Sequence, residues 1–170
     1  MQRQFIDGDR ARHQKPFSMF FICATVAALS RYWINLLLLR FYGAGDMGEA
    51  HFFHQYMVML HIALLPLYSF MTFLFFRNSR YNYGELVVLM LYTVSFFFLT
   101  VSAIALLKFI WPDLNTAFVE LPLLSIYNVI TFVRFFNRQQ RWIVALKSIL
   151  VLLILFLSAH YVEKLFIQML

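Results

Sequence analysis

The chain has 170 residues, of which 62% are hydrophobic and only 13% are charged. A water-soluble domain needs more polar surface than this composition supplies, so the bilayer is the solvent that we expect around the chain. The formal charge of +6 does not indicate a nucleic-acid partner, because the basic residues lie in short clusters between apolar runs, as membrane flanks do.

Five apolar runs approach the roughly 20 residues that a helix needs to cross the hydrocarbon core. Each must be helical if it crosses, because a backbone in lipid has to satisfy its own hydrogen bonds. The sequence therefore predicts an all-α integral membrane protein, a bundle of five transmembrane helices that follows a basic cytoplasmic arm over residues 1–16. This transmembrane domain covers residues 17–170, with spans at 17–39, 52–76, 85–108, 117–136 and 142–166.

Pro66 and Pro122 lie inside predicted spans, where the missing N–H can kink a helix. Such kinks often only shape helix packing, but they also occur beside cavities. A re-entrant region at 117–136 would leave four spans and would put the basic flank of the last span on the wrong side. No internal repeat and no low-complexity linker is apparent, so we expect one domain.

The basic residues of the arm, loops and span ends divide unevenly between the two sides of the predicted bilayer. One side holds nine: Arg3, Arg10, Arg12, Lys15, Arg77, Arg80, Arg134, Arg138 and Arg141. The other side holds three: Arg40, Lys108 and Lys164. By the positive-inside rule the N-terminus is cytoplasmic and, with five spans, the C-terminus is outside.

Several polar side chains fall in the outer half of the predicted spans. Arg31 is the deepest, and a charge at the bilayer centre costs about 2.5–3.5 kcal/mol on insertion scales. One interpretation is an intramembrane polar cluster in which Arg31 pairs with Glu120, with His61, Lys108 and His160 nearby. The alternative is that Glu120, Lys108 and Glu163 lie at the interface and that Arg31 snorkels towards the headgroups.

His51 and His54 are three residues apart, which puts them on one helical face, as zinc or haem ligation would require. A histidine pair is weak evidence, and only Glu49 is nearby to extend the ligand set. Interfacial histidines without a ligand are the favoured interpretation, so we expect no metal and no cofactor. The sequence also has no nucleophile-elbow serine and no glycine-rich phosphate loop, so enzymatic activity is not favoured.

The stretch "LLPLYSFMTFLFFRNSRYNYGELVVLMLYTVSFFFL" resembles the core of a bacterial family of multi-span membrane proteins described only as a domain of unknown function. That family has Leu-Pro-Leu, a basic turn and Asn-Tyr-Ala-Glu-His at a helix start. Leu86 stands in place of the histidine, and the lone Cys23 cannot supply the family's usual N-terminal zinc ribbon. The resemblance implies the bacterial inner membrane and brings no established activity. It rests on Gly8, Arg10, Pro16, Phe17, Leu65, Pro66, Leu67, Arg77, Asn82, Tyr83 and Glu85.

Glu85 opens the third predicted span after a turn that contains Arg77, Arg80 and Asn82. A structural interpretation makes Asn82 a cap and lets the Glu85 carboxylate offset the positive end of the helix dipole or pair with an arginine. A functional interpretation makes Glu85 a protonatable gate or ligand contact at a cytoplasmic vestibule. Its position at the first turn favours the structural interpretation.

The leading functional hypothesis is a non-enzymatic membrane accessory protein that acts through assembly as a homo-oligomer or in a larger complex. A pore or permeability-altering effector of bacterial defence belongs to this class. One alternative is a small-solute or ion transporter whose path is lined by the cluster around Arg31. Another is a membrane enzyme, or a haem or quinone protein, that would require His61 or His160.

Overall fold

The computed structural model of the protein describes residues 15–42, 48–111, 114 and 116–169, with the side chains of 42–60 and 162–169, and of positions 35, 39 and 117, outside the description. A short 3-10 segment, Leu106–Phe109, extends the third helix. The described residues contain no strand, which confirms the predicted all-helical class. The five helices are α1 (Pro16–Tyr42), α2 (Gly48–Phe75), α3 (Tyr83–Ala105), α4 (Ala117–Phe135) and α5 (Arg141–Met169).

Four of these helices are long and apolar enough to cross a membrane, over Pro16–Leu38, Tyr83–Phe109, Phe118–Phe135 and Arg141–Tyr161. In α2, which has 28 residues, the apolar part that the structure describes is His61–Phe75. Every helix begins and ends within four residues of the predicted bounds. Helix α4 continues through Pro122 without a break, as a full crossing requires and a re-entrant loop does not.

Helix α3 is the centre of the bundle and packs against α1, α2 and α4, while α5 packs against α4 and α2. Seven successive residues of α3, from Leu89 to Ser95, are buried. These seven residues cover every side of the helix, so this part of α3 lies in the interior, whereas Phe96 and Leu99 further along are exposed. Helix α1 differs, because only one face of it enters the core, through Phe20, Ala27 and neighbouring small residues.

The hairpins α2–α3 and α4–α5 have turns of the same construction. Phe76 and Phe136 each donate their N–H to the carbonyl four residues back, and each accepts an N–H from the residue three ahead. The two phenyl rings stack nearly parallel, with centroids 4.0 Å apart and 8° between their planes. Both turns therefore lie at the same end of the bundle and in contact with each other.

The two hairpins also share a local sequence that was not recognised as a repeat from the sequence alone. "LPLYS" in α2 and "LPLLS" in α4 each contain the proline of their helix. In both, the serine hydroxyl donates to the carbonyl of the first leucine, from Ser69 to Leu65 at 2.9 Å and from Ser125 to Leu121 at 2.8 Å. Such back-bonding satisfies the hydroxyl within its own helix and often bends the helix slightly.

Candidate functional site

A buried ion pair joins α1 to α4. The Nη2 atom of Arg31 lies 3.3 Å from each carboxylate oxygen of Glu120. Arg31 is 7% exposed and Glu120 is 8% exposed, so the two charges face each other inside the bundle. The structure thus contains the Arg31–Glu120 pairing of the first interpretation, and the charged end of Arg31 does not reach out to the molecular surface.

Lys108 brings a second cation to this pair. It lies in the 3-10 segment that extends α3, is 6% exposed, and is close enough to interact electrostatically with both Arg31 and Glu120. The ion pair that the structure describes is Arg31–Glu120, and Lys108 is a second buried cation in the electrostatic neighbourhood of that pair. Charges in apolar surroundings are tolerated when they stay together, so this cluster ties α1, the end of α3 and the start of α4 to one another.

A half-open cleft lies beside Glu120, between α3 and α4. The side chains of Thr100 and Tyr127 line it together with apolar residues of both helices. It has room for about one water molecule. It is therefore a mainly apolar notch in the bundle surface, and it is too small to hold an organic substrate.

The described ring contacts of His61 are with two phenylalanines of α3, one of which, Phe97, also lines the cleft beside Glu120. His61 is half-buried, and its ring stacks on Phe97 with centroids 5.0 Å apart and meets the edge of Phe98 at 5.7 Å. Phe98 precedes Lys108 by ten residues, which is about 15 Å along the helix axis. His160 is exposed on α5.

His51 and His54 lie in α2 at positions whose side chains are outside the described residues, so their predicted ligand role stays untested. Among the described residues, no group of three or more His, Cys, Asp or Glu side chains is placed to hold a metal ion.

A second buried polar network, which the sequence did not predict, joins α2, α4 and α5. The Asn128 amide donates to the hydroxyl of Tyr68, and the Ser148 hydroxyl donates to the Asn128 carbonyl oxygen at 3.3 Å. Asn128 is 1% exposed and Ser148 is 0% exposed. The only sequence signal was an amide inside the apolar run of α4, and its partners depend on helix rotations that hydropathy does not give.

The turn between α2 and α3, which was predicted to be cytoplasmic, supports the structural interpretation of Glu85. Asn82 has extended backbone angles and is the cap of α3. Its backbone N–H donates to Oε2 of Glu85 at 2.8 Å, which satisfies one of the free donors at the helix start. Arg77 and Arg80 are exposed on the same turn. A gate or ligand role for Glu85 stays a prediction.

No family model, curated protein or solved structure matches the chain. What the fold and the site show is the coarse class of the protein. It is a helical bundle in which four helices have membrane-spanning length and composition. Its helices are tied across the interior by the buried ion pair and by the Tyr68–Asn128–Ser148 network.

Proposed function

We propose that the chain is an integral membrane protein with five spans, with the N-terminal side of α1 facing the cytoplasm. The observation that carries this proposal is the exposure of large apolar side chains along α1, α4 and α5, of which Phe21, Trp33, Ile126, Leu146 and Phe156 are all more than half exposed. Soluble monomers rarely expose apolar patches of more than a few hundred Å². Lipid makes such a surface favourable, because the tails are as apolar as the side chains.

The distribution of basic residues supports the proposed orientation of the chain in the membrane. The two turns that meet through Phe76 and Phe136 expose Arg77, Arg80 and Arg138. The positive-inside rule puts this end in the cytoplasm. With the resemblance to a bacterial family, it supports a location in the bacterial inner membrane.

In that membrane the protein acts as a non-enzymatic accessory component, through assembly with copies of itself or with a larger complex. Two features support this function. Helix α1 gives one face to the bundle and leaves Phe17, Phe21 and Trp33 exposed on a helix of spanning length. The described interior is filled around α3, where Met90 and Phe98 are 0% exposed. A permeability path would therefore form between copies, with the filled bundle as its wall.

Native mass spectrometry of the protein in nanodiscs tests the assembly. We expect a defined oligomer that Ala28→Trp disrupts, because Ala28 is a small exposed residue of α1 and small residues let helices approach closely. Ala103→Trp is the matched control, at an exposed alanine of α3. A strictly monomeric particle across lipid compositions would contradict self-assembly and would direct attention to other membrane partners.

One observation favours a second candidate, a small-solute or ion transporter. Arg31, Lys108 and Glu120 place three charges in the bundle interior, and intramembrane ionisable groups often mark solute pathways. Electrogenic flux in proteoliposomes that disappears in Arg31→Leu, with the particle mass unchanged, would support transport. Flux that is absent in the wild type, or unchanged in the variant, would remove this candidate.

A further inference from the structure

The end of the bundle that carries the two hairpin turns is strongly basic. Among the described residues at this end, the carboxylate of Glu85 is already engaged by the backbone N–H of Asn82. The cations are exposed, apart from one half-buried lysine. They are Arg77, Arg80, Arg134, Arg138, Arg141 and Lys147.

Aromatic packing holds these cations together. The stacked rings of Phe76 and Phe136 hold the α2–α3 turn against the α4–α5 turn. Tyr81 also packs on Phe135, with ring centroids 4.5 Å apart. Lys147, from the second turn of α5, places Nζ 5.5 Å from the centroid of the Phe76 ring. Each turn thus presents its charges beside those of the other, and little ordering of either turn is needed before a ligand binds.

The surroundings of this surface place it at headgroup depth. Tyr83 opens α3 and Trp142 is the second residue of α5, and both are exposed, Trp142 by 84%. Amphipathic aromatic rings prefer the boundary between headgroups and hydrocarbon. The arginines of the turns follow directly, so their guanidinium groups reach the level of the lipid phosphates. Guanidinium matches phosphate geometry with two parallel hydrogen bonds.

We propose that these two turns form a binding surface for the phosphodiester headgroups of anionic phospholipids in the cytoplasmic leaflet. The proposal rests on the proposed membrane insertion. The opposite end of the bundle has no comparable basic surface among the described residues. Its described cations are the buried Arg31 and Lys108 and the single exposed Arg40.

The test measures which lipids stay bound to the purified protein. Nanodiscs of equal parts phosphatidylcholine and phosphatidylglycerol are prepared, and native mass spectrometry records the lipids retained after the disc is stripped. We expect enrichment of phosphatidylglycerol that weakens as salt is raised. The triple variant Arg77→Gln, Arg80→Gln, Arg138→Gln should weaken it roughly a hundred-fold, since each basic residue near an anionic surface contributes about a five-fold preference. Arg40→Gln is the matched control and should retain the wild-type enrichment.

Two further measurements separate the proposals. Flotation with liposomes reports insertion: a chain that does not float would overturn the membrane proposal itself. A chain that floats but retains both lipids equally would overturn the headgroup surface and leave insertion standing. The ratio of the two lipids retained by the wild-type protein is sufficient for this test. The result therefore does not depend on whether the triple variant folds. If polyglutamate binds instead of phosphatidylglycerol, the occupant is an acidic protein segment, and the lipid proposal is wrong.

Discussion

Removal of one charge of the Arg31–Glu120 pair should destabilise the bundle far more than removal of both. In Glu120→Leu, Arg31 stays charged at a position that is 7% exposed. Loss of one partner of a buried pair typically costs about 3–5 kcal/mol, because the other charge is left uncompensated. We therefore expect Glu120→Leu to lower the free energy of unfolding by about 3 kcal/mol.

Lys108 makes the two single variants unequal. It interacts electrostatically with both members of the pair, with attraction to Glu120 and repulsion from Arg31. In Arg31→Leu the carboxylate keeps an opposite charge, Lys108, in its neighbourhood, whereas in Glu120→Leu two cations remain near each other without that anion. Arg31→Leu should therefore cost less, about 1–2 kcal/mol, which is less than a buried pair usually loses.

The double variant Arg31→Leu, Glu120→Leu should recover most of the loss. It removes an attraction and a repulsion from Lys108 together, and hydrophobic replacement of a buried pair is often neutral or stabilising. We expect it within about 1 kcal/mol of the wild type. Reversible unfolding in bicelles, followed by steric trapping, measures these free energies, with the exposed Arg40→Leu as control. Losses that simply add in the double variant, or equal losses in the two single variants, would refute the reasoning.

Four further predictions concern packing and capping. Asn128→Leu should lower the free energy of unfolding by about 1 kcal/mol, because interhelical hydrogen bonds are worth little more in a membrane, and the exposed Ser125→Leu should not. Phe76→Ala should cost about 3–5 kcal/mol in the same assay, because the ring is fully buried in the stack between the hairpins. Glu85→Ala should cost about 1 kcal/mol through the lost cap contact, whereas Gly84→Ala, whose new methyl group would meet open space, should stabilise α3 by about 0.5–1 kcal/mol.

The helices could be predicted from the sequence because their lengths follow from a single quantity, the number of apolar residues between breakers. The pairing of Arg31 with Glu120 could be predicted for a related reason. Each is a charge in an apolar run at similar depth, and a charge there needs an opposite charge. The position of Lys108 beside them follows from depth as well.

The contacts that depend on helix rotation could not be predicted. The described partners of Asn128 are not local, since Tyr68 and Ser148 lie 60 and 20 residues away. The stack of Phe76 on Phe136 does have a signal in the sequence, since two consecutive phenylalanines stand at the start of each turn. In a chain with 21 phenylalanines such a pair carries little information, because similar pairs occur by chance.

The polar groups of α3 and of α4 have different consequences for the bundle. In α3 the hydroxyls of Thr93, Ser95 and Ser102 all donate to carbonyls of their own helix, so they are satisfied before any neighbour arrives. In α4 Glu120 and Asn128 reach other helices, the first to α1 and the second to α2 and α5. Helix α4 therefore carries polar groups that only the assembled bundle satisfies. In the proposed membrane, we infer that the stable crossing of α4 depends on the other helices more than that of α3 does.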